Sequence, residues 1–290
     1  MPRILDHPYS TINDCFWLRG NLHTHPRPKE KPDSVVHEYA RLGYGFLGIT
    51  EHDKFYSLDQ INEWDHRGLV LVPGNEVSGN GPHILHVGAD RWIEPDEDRQ
   101  QVIDQINATA GFAIINHPNK GPQFDECPLE LMERWTGYKA IEIFNAGGLR
   151  GTGSPYATDK WDILLSQGRR LWGIASDDYH APIHAGAGWV MAAVANRTVK
   201  SVVDALHQGR FYASTGVTIN RIIVNGLYIR IETADAHRII ALGDHGCGLA
   251  TVDTHTLEFS VPENMSYVRF ECWGLGQRTA WTQPFWIVEQ

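Results

Sequence analysis

The sequence predicts an α/β protein: a complete or distorted β/α barrel followed by a small antiparallel β unit. Three observations predict it. Apolar, β-rich runs alternate with helical patterns, metal-ligand residue types recur at the ends of those runs, and after about residue 216 the helical patterns stop. Near-continuous apolar strands alternating with helices imply parallel strands covered by helices. In such barrels the chemistry sits at the C-terminal strand ends.

The elements follow in order. "DCFWLRGNLH" reads as extended and ends on His23 and His25. In a strand these share a face, so two imidazoles could chelate one ion. "DSVVHEYARLG" is helical, with Asp33 or Ser34 as N-cap and Gly43 as its stop. "YGFLGIT" is a strand followed by Glu51, His52 and Asp53; "LVLVPGNEV" carries Glu76 near its end. "HILHVGA" holds His83 and His86, which are three apart, so only one can point inward along a strand. "DEDRQQVIDQINATAG" and "TDKWDILLSQG" are helices ending on glycine. "GFAIINH" ends on His117, "YKAIEIFN" on Asn145, and "LWGIASD" runs into Asp177, Asp178 and His180. Asp178 and His180 share a face, whereas Asp177 would point away. Beyond this, "INRIIVNGLYIRIETA", "HTLEFSVP", "YVRFECWG" and "FWIVEQ" are short strands broken by Asn-Gly and glycine turns. The expected division is a barrel over 1–216 and an accessory β unit over 217–290.

Composition bounds the function. The 290 residues, 42% hydrophobic, suit one large domain with an appendage. A formal net charge of −10 without a basic run argues against a duplex nucleic-acid partner. No apolar run reaches the ~20 residues that span a bilayer. The first residues lack signal-peptide order, and the four cysteines form no C-x-x-C pair. The expectation is a cytoplasmic protein without a membrane partner.

The 15 histidines, several beside acids, point to metal. One zinc takes three or four protein ligands, so about nine candidates suit two or three ions with a bridging carboxylate. Ions ~3.5–4 Å apart can share a hydroxide as nucleophile, which is hydrolytic chemistry. A mixed imidazole and carboxylate set suits zinc, manganese or iron better than calcium. No G-x-S-x-G, phosphate-loop, G-x-G-x-x-G or H-E-x-x-H pattern competes.

At these residues the chain resembles a known family. "LHTH", "ITEHD", "GNEVS", "NHP" and "SDDYH", in this order, are similar to the motifs of the PHP (polymerase and histidinol phosphatase) superfamily. The later "GWVMAAVANRTVKSVVDALHQGRFYASTGVTI" and "AWTQPFWI" resemble its carbaryl-hydrolase-like branch, which appends a small β domain. The resemblance implies a distorted seven-stranded barrel and a two- or three-metal site. It implies that His23, His25, Glu76 and Asp178 hold one ion, and that Glu76 bridges to a second held by His83 and His117. His83 is favoured over His86 because "GPHIL" resembles the family's Gly-His segment. A third ion would use His52, His180 and Asp33, although Asp33 lies farther from the first motif than the family's acid does. Glu51 stands where the family usually has aspartate.

The reaction expected is hydrolysis of a small phosphoester, a nucleotide or a single-stranded 5′ end. The alternatives are a carboxylic or carbamic ester, and an inactive binding module. His180 or Asp53 could assist leaving-group protonation. Lys120, where phosphoesterase relatives carry arginine, and Asn145 are the substrate-contact candidates.

Overall fold

The computed structural model describes residues 3–12, 14–26 and 33–290. The strands are β1 (Arg3–Asp6), β2 (Phe16–Asn21), β3 (Phe46–Ile49), β4 (Val70–Val77), β5 (Ile84–Val87), β6 (Phe112–Ile115), β7 (Ala140–Asn145), β8 (Trp172–Ser176), β9 (Trp189–Val194) and β10 (Phe211–Ser214). They continue as β11 (Ile219–Asn225), β12 (Tyr228–Thr233), β13 (Arg238–Gly243), β14 (Cys247–Val252), β15 (Thr256–Ser260), β16 (Tyr267–Trp273), β17 (Thr279–Trp281) and β18 (Phe285–Glu289). The helices are α1 (Asp33–Arg41), α2 (Leu58–Asn62), α3 (Arg99–Asn107), α4 (Leu129–Arg134), α5 (Thr158–Ser166) and α6 (Val199–His207).

The run β2 to β8 forms the parallel-rich centre, pairing in chain order. Its strands β3 to β7 are buried along their whole length, as strands packed on both faces must be. The sheet curls. Thr24, just past β2, bridges in parallel to Tyr179, just past β8, which brings the C-terminal strand ends together.

Not every pair is parallel. β5 runs antiparallel to both β4 and β6. The segment between β4 and β5 is too short for a crossover helix, so the chain turns straight back. β4 itself changes partner midway: Val70–Pro73 pair with β3, and Gly74–Val77 with β5. Gly74 sits at that switch because a side chain there would lie 2.6 Å from the His86 carbonyl oxygen. On the other flank β9 pairs antiparallel with β2, and β10 with β9.

The boundary expected at residue 216 does not divide the sheet. β10 pairs with β17, and β1 pairs with β18 from Arg3↔Glu289 to Asp6↔Trp286, so the first strand joins the last strands of the chain. The core of these later strands, with Ile229, Ile231, Ile239, Phe270 and Phe285, also takes in Tyr9 and Tyr212.

Two polar staples fix these later strands to the central elements. The Gln283 side-chain oxygen accepts from Gly173 N (2.8 Å) and its amide donates to Gly173 O (2.9 Å), standing in for a neighbouring strand on β8. The buried Arg269 guanidinium donates to both Asp162 oxygens on α5, at 2.7 and 2.6 Å, and Tyr267 donates to the same carboxylate. Such two-pronged pairs are geometrically demanding. Removing one partner strands the other charge in the interior, so Arg269→Ala should destabilise the fold by about 3–5 kcal/mol. Urea denaturation checks this, and a change under 1 kcal/mol would remove the staple from the account.

Candidate metal centre

The chain past each central strand turns its polar side chains into one cluster with Glu76 at its focus. Glu76 is fully buried. Its Oε1 lies 3.2 Å from His23 Nε2, 3.0 Å from His83 Nδ1 and 3.3 Å from His117 Nε2. Its Oε2 lies 2.6 Å from His52 Nδ1 and 3.8 Å from His25 Nε2. Backbone pairing continues past β3 to hold this geometry: Glu76 N donates to Glu51 O, and Asp53 N donates to Glu76 O.

Asp178 forms the second focus, with Oδ1 3.6 Å from His23, 3.4 Å from His25 and 3.4 Å from His180. The rings of His52 and His180 lie against His25, with centroids 4.1 and 4.2 Å away. Potential ligand atoms fall within 4.8 Å of one another in several sets, among them His23–His25–Asp178, His25–His52–His180 and His52–Glu76–His83. His86 faces the other way, its Nε2 2.9 Å from the Thr109 hydroxyl. Asp177 also turns away, accepting from the backbone of Gly186, Ala187 and Gly188.

Two acids join the cluster that sequence reasoning missed. Glu142, inside "AIEIF", pairs with His23 Nδ1 at 2.8 Å and accepts from His117 N. Glu126 reaches His117 Nδ1 at 3.1 Å. Glu142 was hidden because its strand is otherwise apolar; a buried acid within such a strand was the available signal. Glu51, set apart only as a departure from the family pattern, lies 3.4 Å from His25. Arg150 is a further unforeseen cation, donating to the carbonyls of Asp177 (2.7 Å) and Asp178 (3.0 Å).

Three expected residues take other positions. Asp53 spends its carboxylate on Ser78 N, the Ser78 hydroxyl and Gly79 N, which pins the turn before His83 and leaves it poorly placed for proton transfer. Asn145 is buried and donates to Glu142 while accepting from Gly147 N, so it braces the cluster and has no side-chain group left for substrate. Asp33 opens α1 and belongs to no ligand set among the described residues. The preceding "RPKEKP", residues 27–32, lies outside those described. Lys120 does reach the site, 3.1 Å from Asp178 Oδ2.

The donor chemistry fits divalent cations. Five carboxylates (Glu51, Glu76, Glu126, Glu142, Asp178) surround the histidines, with Lys120 the ion-paired cation. Several buried ring nitrogens and oxygens, including His23 Nε2, both His25 nitrogens and Glu76 Oε2, lack a hydrogen bond of proper geometry. Buried polar atoms are ordinarily satisfied, so such a group points to a bound ion. Burial pushes the Glu76 carboxyl up, but His23, His117 and His52 together hold it well below the usual carboxylate range. Burial lowers His23, yet Glu142, Glu76 and Asp178 raise it well above 6.5. His117, with burial overcome by Glu126 and Glu76, is raised to about 9. Protons thus balance the acids where a cation would. His180 is instead lowered to about 4, by burial and then by His25.

Two measurements follow. Metal ligation requires neutral imidazole, and the surrounding carboxylates raise His23, His25 and His117 above the ordinary imidazole value, so zinc loading at neutral pH should release protons. Release should fall as pH rises through about 9, where His117 loses its proton beforehand. Proton-release titration in weak buffer checks this, and no release at pH 7 would contradict the charge balance. Glu142→Gln should weaken metal affinity roughly 10–100-fold, the usual effect of losing a group that orients a ligand. Unchanged affinity by competitive chelation would make Glu142 a bystander.

No family model matches the sequence, and no curated protein matches it significantly. Solved structures do match. A two-domain protein containing a predicted PHP-like metal-dependent phosphoesterase, from Bacteroides vulgatus ATCC 8482, is 15% identical, with a TM-score of 0.58. The match covers 94% of this chain and 95% of that one. PsfC from Pseudomonas syringae PB-5123 is 14% identical with a TM-score of 0.46, over 71% of this chain and 88% of that one. The mixed α/β fold of this chain is therefore shared with that two-domain structure.

Proposed function

We propose that the chain is a metal-dependent phosphoesterase of PHP type, acting on a small phosphoester through two or three divalent ions of zinc, manganese or iron. In this reading β2 to β8 are the seven strands of the distorted barrel and the β-rich remainder is an accessory unit. The observation that carries it is the convergence of five histidines and Glu76 beside Asp178 and Lys120. His23, His25, Glu76 and Asp178 would hold one ion, and Glu76, His83 and His117 would hold a second. His52 and His180 supply the donors for a third.

When bound, the ions would activate water and polarise the ester oxygens. The protein's own groups do the rest. Lys120 lies 29% exposed at the edge of the cluster, where its ammonium can meet a phosphate oxygen. Arg150 fixes the backbone around Asp178, and thereby the carboxylate that Lys120 touches. His180, neutral at pH 7, suits ligation or proton acceptance more than proton donation.

One observation favours a rival reading, hydrolysis of a carboxylic or carbamic ester as in the carbaryl-hydrolase-like branch. Lys120 is already paired with Asp178, so part of its charge is spent before substrate arrives. The comparison of Lys120 variants separates the two. On a phosphomonoester, Lys120→Ala should lower kcat/KM by roughly 10–100-fold, as for one lost charge-assisted contact. Lys120→Arg should keep most of the activity. Unchanged turnover in Lys120→Ala would remove the phosphate-gripping role. Wild-type turnover of an aryl carbamate above that of the phosphoester would favour the rival.

A further inference from the structure

A cavity of about 500 Å³ opens between the segment that follows β7 and the accessory unit, with Tyr156, Trp273, Trp281, Glu271 and Arg278 in its walls. Its aromatic character is unusual for a surface. Tyr156 is 37% and Trp273 42% exposed, so two large rings that line the cleft face water. Trp281 forms the floor, stacked on Phe144 at 6.1 Å and lying 6.4 Å from Tyr156. The Trp273 indole donates to Glu271 (3.1 Å), which also accepts from Arg269, so that ring is fixed in place. The Arg278 guanidinium has no hydrogen bond or ion pair among the described residues.

The cleft lies beside the loops that surround the metal centre. A second chamber of about 170 Å³ shares Tyr156 and Arg278 with the first and is bounded by Leu149 and Ala187. Ala187 N donates to Asp177, the neighbour of Asp178. Gly147, two residues before Leu149, passes so close to Asp178 that a side chain there would meet its carboxylate at 2.4 Å. The aromatic cleft and the loops that frame Asp178 are thus neighbours through shared lining residues.

We infer that this cleft is a subsite for a planar aromatic ring in the leaving group of the substrate, a reading that rests on the ester hydrolysis proposed above. Aromatic rings gathered in one cleft receive a flat π system by stacking or edge contact. The unpaired Arg278 favours a ring that is electron-rich or bears acceptors at its edge. An aryl ester and a nucleotide base share this chemistry. The accessory unit would then choose among substrates, while the barrel performs the reaction.

The test uses the full-length, metal-loaded protein and calorimetric binding of two phosphonates that cannot be hydrolysed, phenylphosphonate and methylphosphonate. Wild type should prefer the phenyl compound by roughly tenfold, the scale of a good ring contact. Trp273→Ala, and separately Tyr156→Leu, should erase most of that preference. Methylphosphonate affinity and metal content should stay unchanged. Adenosine 5′-monophosphate in the same assay distinguishes the sources: a Trp273-dependent gain over methylphosphonate larger than that of the phenyl compound assigns the cleft to a nucleobase. Equal binding of both phosphonates by wild type, or a preference that survives both substitutions, would overturn the subsite. An intact aromatic preference without turnover of any ester would sink the hydrolase reading instead and leave the subsite standing.

Discussion

A carboxylate with no access to water governs this molecule. Glu76 is fully buried, and an ion in that position costs several kcal/mol unless neighbours balance it. No single partner suffices, so imidazoles arrive from the chain past β2, from the residue before β5, from the chain past β3 and from the chain past β6. Asn116 adds a hydrogen bond of 2.6 Å to the same oxygen that His23, His83 and His117 approach. Parallel pairing of β2, β3 and β4, and the curl that joins Thr24 to Tyr179, are what place these donors on one face. The partner change within β4 serves the same end, because it swings β5 back and delivers His83 to the carboxylate.

Backbone strain accompanies that convergence. His117 and Asp178, each just past a strand, have φ of +24° and +50°, a region that side-chain-bearing residues visit rarely. Such conformations cost about 1–3 kcal/mol each and persist only where surroundings over-determine them. Here the surroundings are visible. Glu142 accepts from His117 N, and Arg150 clasps the carbonyls of Asp177 and Asp178. Glu142 also binds His23, Asn145 and Ser176, so one acid in β7 coordinates the pose of residues from four strand ends.

Much of this was legible in the sequence. Period-2 spacing at His23/His25, and the habit of ligand residues at strand ends, marked the residues that converge. The antiparallel course of β5 was not legible, because an apolar four-residue run carries no direction. Glu142 and Glu126 escaped because each depends on a tertiary approach, one from within an apolar strand and the other from a loop. Asp53 and Asn145 misled for the opposite reason. Strand-end position predicts proximity, but only the hydrogen-bond partners show whether a side chain has capacity left. The pairing of β1 with the last strand was also invisible, since β1 meets β18 across nearly the whole length of the chain.

That last pairing bears on how the molecule comes into being. Closing so long a span has a large entropic cost before any contact repays it, and contacts of this kind form late. β1 has no strand partner until the final residues of β18 exist, and β10, paired with β9 on one side, keeps its other edge open until β17 exists. During synthesis the segment of central strands therefore emerges with open edges, and only the arrival of the last strands closes them. The central strands and the late β-rich stretch should accordingly gain and lose structure together, as one cooperative body, even though their sequences read as two separate pieces.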